Sequence, residues 1–454
     1  MNHRYMYSAI CLFLLASFPC CGLVIAQDSQ EPGYELAMPI PITPDSCLAL
    51  DEESDPQPRG LNSISEVQIT PEIQALARSL DNNPIKIYEY VRNNIDYVPL
   101  LGVRNGATAT LLSKRGDDAD QCALLIALLK AANPASDALY ARGYVVYPVS
   151  FMANLLNVDA NTNRVLNRLW GGLIPADVDP NVASSIQVYR YWVETTISNT
   201  TYMLDPAYKE YDSTNALDIL SIAGYSRTQF TARATSGATV TTNSIRNANE
   251  ANIRADLTTY SSNLVANIRA QHPNGDISAV LGGRKIKRQA ITSLPISLPY
   301  YAGMYDSSNA PVLPDYHYWS LTIQHQGINK TTNLFEVAGK RISIFYTGTN
   351  NAPQLWVDGS VKATGNPTTI GQAYSMTVTL SRTSFSYAGG KTNNSHVFGL
   401  TSGHSYLLAN DFGAASPVLI ANASRRLSRD REAGKSETSE AVLGGAMHLM
   451  GLSY

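Results

Sequence analysis

Cys122 and Asp205 are the residues of this chain with the clearest chemical potential. Cys122 stands near the start of an apolar run in residues 116–132, Gly-Asp-Asp-Ala-Asp-Gln-Cys followed by Ala-Leu-Leu-Ile-Ala-Leu-Leu-Lys-Ala-Ala. A thiol at a helix start gains from the dipole and from free backbone N–H groups, which favour the thiolate and offer oxyanion donors. Asp205 ends the strand in Met-Leu-Asp-Pro-Ala-Tyr, a setting that orients a neighbouring group or simply forms a turn before Pro206. Acyl transfer by a thiol also needs a proton shuttle. No histidine lies between residues 4 and 271.

The elements that must hold these residues are readable. Thr70-Pro71-Glu72 opens a helix, with an N-cap residue, a proline at the first position and an acid in the first turn. Residues 84–94 make a second helix, and a short one follows the loop that starts at Gly102. Asp118 fits the N-cap of the Cys122 helix, with Gln121 in capping-box spacing. That puts Cys122 in the first turn or just past it. Leu124, Leu125, Leu128 and Leu129 supply its buried stripe. Residues 140–148 read as a strand and 149–183 as a partly helical insertion. Residues 186–197 and 201–204 read as paired strands around Ser198-Asn199. Ile253, Leu257, Tyr260, Leu264 and Ile268 mark an amphipathic helix. Arg284, Lys285, Lys287 and Arg288 read as a solvated basic face. From residue 296 the period becomes two, with Asp358-Gly359 as a hairpin turn.

The ordered blocks resemble the bacterial transglutaminase-like superfamily, whose core is papain-like. Residues 116–129 match its Gly-acid-Cys-helix block, Trp192-Val193-Glu194 its strand, and Leu204-Asp205-Pro206 its Asp-Pro strand. The resemblance covers residues 65–215, about a third of the chain. It implies an α+β fold, with Cys122 as nucleophile, Asp205 as orienter and Trp192 as a wall of the site. The family's histidine position falls on Arg190, which shares a strand face with Trp192 and Glu194. Arginine stays protonated and cannot shuttle a proton. It would hold a thiolate or a bound carboxylate instead.

Other roles for these residues stay open. Trp192 also reads as plain core. Cys122 also reads as a buried cysteine, a redox thiol, or half of a bridge to Cys47. His317, in Asp315-Tyr316-His317-Tyr318-Trp319, is the candidate for supplying the missing imidazole.

Composition bounds the rest. Charged residues are 16% of the 454 and apolar ones 44%, so Ser, Thr, Asn and the 26 Tyr must carry much of the surface. A net charge of -3 gives no case for nucleic acid or an anionic membrane. His3 and Arg4, the apolar residues 9–18 and Val24-Ile25-Ala26 read as a signal peptide cleaved after Ala26. Cys11, Cys20 and Cys21 would leave with it. No later segment is apolar and long enough to span a bilayer. No phosphate loop, dinucleotide fingerprint, HExxH or Cys/His metal set is present, so no cofactor or metal is expected. His396 and His404 are too isolated to suggest one.

The expected organisation is a signal peptide (1–26), an irregular tail (27–64), a transglutaminase-like domain (65–215), a helical connector (216–295), a β-sandwich-like domain (296–410) and a polar, then apolar, helical tail (411–454). The expected protein is periplasmic or extracellular, catalytically impaired, and a binding or structural module for a protein or peptide, such as a cell-envelope component. The rivals are an active cysteine acyl transferase (amidase, peptidase or cross-linking enzyme) working through a Cys122 thioester, and an interaction protein whose β-rich part carries the function.

Overall fold

The computed structural model describes residues 65–275, 277–305, 310–382, 393–409 and 416–453. It also describes the backbone of two strands, Ile10–Phe18 and Cys21–Val24. The expected irregular tail, most of the signal segment and Cys47 lie outside the described residues. The fold is mixed α+β with several sheets. The chain divides into two compact units. One combines Met1–Lys209 with Arg288–Tyr454, and the other is Glu210–Lys287.

The first unit opens with four helices: α1 (Pro71–Ser79), α2 (Pro84–Asn94), α3 (Gly106–Ser113) and α4 (Asp118–Ala132). Asn83 caps α2 by accepting from the Ile85 and Lys86 N–H groups. The N-cap of α4 is Asp117, not Asp118, and its carboxylate accepts the Asp120 N–H at 2.8 Å. Gln121 forms no capping box. Its amide donates instead to the carbonyl of Gly116, at 2.9 Å. From Ala119 to Leu129 every side chain of α4 is buried, so it is a core helix rather than an amphipathic one.

An antiparallel sheet carries α4. Its strands run Tyr301–Tyr305, Leu139–Pro148, Ser185–Ile197 and Ala176–Val178, and Thr200–Leu204 also pairs with the third. The hairpin turn Ser198-Asn199 has φ of 52° and 64°, the left-handed geometry that a tight two-residue turn requires. Tyr301–Tyr305 belongs to this sheet. The β-rich half therefore begins after it rather than at residue 296. Period-two patterning marks a strand but does not say which sheet it joins.

That half holds two further sheets. One is ordered Ile328–Asn333, Trp319–His325, Ala373–Arg382, Asn393–Thr401. The other runs Ser360–Thr364, Ala352–Val357, Ile342–Thr347, Tyr406–Ala409, then the two N-terminal strands. Leu321, Ile323, Ile344, Leu355, Met376, Val378 and Leu400 share one core between them. Leu100 and Leu173 of the helical half enter the same core. At this seam the Val103 N–H donates to the His317 carbonyl at 2.7 Å, and the Trp319 indole to that of Leu101 at 2.8 Å. Gly102 has φ of +90°, and a Cβ there would lie 2.3 Å from the His317 oxygen, so only glycine fits.

The second unit is bounded by the antiparallel pair Tyr211–Thr214 and Gly283–Ile286. Its main helix is Glu250–Gln271, where Tyr260 meets Tyr225 and Phe230 but Leu257 is exposed. Arg284 lies 3.5 Å over the Tyr211 ring and Lys287 faces Glu210 at 3.6 Å, so parts of the basic cluster have local partners. No helix among the described residues is long and apolar enough to cross a membrane.

Near the C-terminus, Glu440 is buried and meets Arg341 at 2.6 and 2.8 Å and the Ser343 hydroxyl at 2.9 Å. Removing one member of such a pair strands the other charge. Glu440→Ala should cost about 3–5 kcal/mol in urea unfolding. Replacing both partners at once, as Arg341→Met with Glu440→Leu, should recover most of that loss.

Candidate functional site

The site forms where the start of α4 enters a gap in the sheet edge. Along the central strand Ser185–Ile197, pairing with Ala176–Val178 ends at Val188 and pairing with Thr200–Leu204 begins at Val193. Between them the Tyr189 N–H goes to the Pro175 carbonyl at 2.9 Å and the Tyr191 N–H to the Asp118 carboxylate at 3.2 Å. The first turn of α4 thus replaces a missing strand. Gly116 permits the approach, since a Cβ there would sit 2.9 Å from that of Asp120.

Three acids of this turn are buried. Asp120 accepts backbone N–H groups from Arg104, Asn105 and Gly106 at 3.1, 2.9 and 2.9 Å, which fixes the loop ahead of α3. Asp117 faces the Arg104 guanidinium at 3.8 Å. Asp118 faces Arg190 at 3.3 Å. Burial holds all three carboxyls above their ordinary range, and Asp118 is pushed up to about 6 although Arg190 pulls the other way.

Arg190 is fully buried, with its guanidinium 4.7 Å from the Tyr97 ring centre and 5.9 Å from that of Tyr147. None of its three nitrogens makes a well-aligned hydrogen bond among the described residues. The surrounding phenols and carboxyls outweigh its burial, so it stays charged.

Cys122 is the fifth residue of α4, just past the first turn, and is a fully buried free thiol. Burial is the largest influence on it, and the nearby Asp205 and Asp118 charges add to it, while Arg190 opposes them. The thiol is held well above its ordinary value, the reverse of the thiolate stabilisation that the helix start suggests. Dipole stabilisation is worth up to about 2 kcal/mol even in partly buried settings, and here the desolvation of a fully buried thiolate outweighs it.

Asp205 is also buried, but its oxygens are already engaged. Oδ1 accepts the Ala207 and Tyr208 N–H groups at 2.8 and 3.0 Å, the turn-forming role. Oδ2 accepts the Tyr300 hydroxyl at 2.6 Å and that of Tyr147 at 3.4 Å. Trp192 is buried on the same strand face as Arg190, and its indole N–H turns to Glu194 at 3.3 Å.

His317 is buried against the other face of the sheet. Its Nδ1 meets the Tyr191 hydroxyl, and Tyr191 alternates with Arg190 across the strand. Burial, then the Arg142 and Arg382 charges, keep its imidazole neutral. It does not occupy the place that the missing shuttle requires. No group of three or more metal-ligating side chains occurs among the described residues.

The fold thus brings Cys122, Asp205 and Arg190 into one electrostatic neighbourhood and adds partners to which sequence reasoning gave no part in the site. Asp118, Tyr97, Tyr147 and Tyr300 are among them. So is Lys209, fully buried, whose amine donates to the Ile95 carbonyl at 2.5 Å and Gln121 Oε1 at 2.8 Å. The run of three acids in residues 117–120 was a visible signal, since so many buried charges at one helix start demand cations. Lys209 and Tyr300 carried none. Comparison with known proteins finds no matching family model, curated protein or solved structure.

The raised Asp118 carboxyl has a definite sign in the pH dependence of stability. Folded Asp118 binds its proton more tightly than the unfolded residue, whose value is about 3.9. Its contribution is therefore lost as pH rises from about 4 through about 6. Urea unfolding of wild type and Asp118→Asn across pH 4–7 isolates this group from the histidines. The variant should gain stability relative to wild type as pH rises; the opposite trend would mean that the Arg190 pair outweighs desolvation.

Proposed function

We propose that this chain is an exported, transglutaminase-like protein whose thiol site does not catalyse acyl transfer, and that it works as a binding or structural module for a protein or peptide of the cell envelope or exterior. The observation that supports this reading is the buried Arg190–Asp118 pair at 3.3 Å, since Arg190 falls at the position that the sequence resemblance assigns to the proton shuttle. A permanently charged guanidinium accepts no proton from Cys122. The acid beside it is tied to the Tyr191 backbone N–H, and Asp205 is turned to Tyr300. The group that would position a shuttle now helps to hold the structure.

Export is supported by the signal-like composition of residues 1–26. Cleavage after Ala26 would remove the strands Ile10–Phe18 and Cys21–Val24 and leave Tyr406–Ala409 at the edge of its sheet.

The rival reading, an active cysteine acyl transferase, draws on one observation. Asp118, at about 6, is an acid able to take a proton near neutral pH. Alkylation of native Cys122 with iodoacetamide, followed by mass spectrometry from pH 6 to 9, separates the two. A module should leave Cys122 unlabelled until the protein is unfolded, and Cys122→Ala should leave partner binding intact. Rapid native labelling with a midpoint below the free-thiol value of about 8.5 would restore the enzyme reading.

A further inference from the structure

The two sheets of the β-rich half leave a cavity of about 750 Å³ between their edge strands Ile328–Asn333 and Ser360–Thr364. That volume lies in the range of ligand-holding pockets, roughly 300–1,000 Å³. It is far from the Cys122 neighbourhood in composition, and none of the residues around that thiol line it. Its floor is aliphatic, made by Leu321, Ile323, Ile342, Leu355 and Val357, with no aromatic ring for a sugar or base to stack on.

Three lysines surround it: Lys330, Lys340 and Lys362. Two are placed there by strand geometry. Lys330 stands opposite Ile323 in the ladder, and directly opposed residues share a face, so it lies on the cavity side of the sheet with its own side chain exposed at the rim. Lys362 is the extra residue of a β-bulge, because Leu355 pairs with Ala363 and Trp356 with Val361. Bulges re-aim side chains. Neither lysine, nor Lys340, forms an ion pair among the described residues. Two acids also line the cavity. Asp358 is matched by Arg426 at 2.8 Å. That leaves three ammonium groups against the single carboxylate of Glu336, which accepts a hydrogen bond from Asn333 at 2.9 Å.

We propose that this cavity binds a monomeric anionic amphiphile, with a medium-length alkyl chain on the aliphatic floor and a carboxylate or phosphate head between Lys330, Lys340 and Lys362. A lysine on an edge strand also guards against edge-to-edge pairing. That role alone needs neither a cavity behind the lysine nor a second and third cation beside it. The binding role uses all of these. Lysine suits a head of either chemistry, since it acts as a point charge with three rotatable donors.

Calorimetric titration of the full chain with decanoate, decanol and decyl phosphate below their aggregation concentrations tests this. Decanoate and decyl phosphate should both bind, and decanol at least tenfold more weakly. Lys330→Gln with Lys362→Gln should weaken decanoate at least tenfold and leave decanol unchanged, with an unaltered thermal midpoint as the folding control. Raised salt should weaken decanoate only. The proposal fails if decanoate does not bind, or if decanol matches it. It fails equally if the double variant binds decanoate as wild type does, the lysines then being edge guards. Inorganic phosphate binding as tightly as decyl phosphate would reduce the site to an anion patch and overturn it, as would retention on phosphatidylglycerol vesicles without any binding of free decanoate.

Discussion

The structure of the first unit depends on how the first turn of α4 is neutralised. Asp117, Asp118 and Asp120 carry acids into the buried interior, and each needs a donor or a cation to stay there. Arg104 meets the first, Arg190 and the Tyr191 N–H the second, and three loop N–H groups the third. These contacts join α4 to the central strand and to the loop that leads into α3. The same turn sets Cys122 in place, so the thiol's environment follows from the electrostatic seal rather than from any arrangement aimed at the thiol. Arg190 in this setting is a structural cation first.

Desolvation also decides between two effects that a sequence reading weighs equally. The helix start favours a thiolate, and burial disfavours it. At an exposed helix end the first is worth up to about 1 kcal/mol. Full burial of a charged group shifts its balance by more than that, and Cys122 is fully buried beside two carboxyls. The raised thiol is the sum of the two.

Local signals were legible where one residue sets one geometry. The proline-led helices and the Ser198-Asn199 and Asp358-Gly359 turns lie where the residues put them. What was not legible depends on pairing across long separations. Tyr301–Tyr305 joins a sheet begun at Leu139, and Leu100 and Leu173 enter the core of the β-rich half. The cap residue was misplaced by one because Asp117 and Asp118 are chemically alike, and only the strand beside α4 selects between them. His317 shows the same limit. Its sequence neighbours suit a site, yet it lies in the short 3-10 turn Asp315–His317 and meets the hydroxyl of Tyr191, which points to the opposite face of the sheet from Arg190.

The return of the chain through Glu210–Lys287 before Tyr301–Tyr305 has a consequence for synthesis. The strand Leu139–Pro148 is made about 155 residues before the partner that covers its far edge. At roughly 5–20 residues per second, that edge waits on the order of ten to thirty seconds on the ribosome. An open ladder beside a buried tyrosine-rich face is sticky for that interval. Until the later segment is made, that edge presents unpaired backbone groups, which other strands can join.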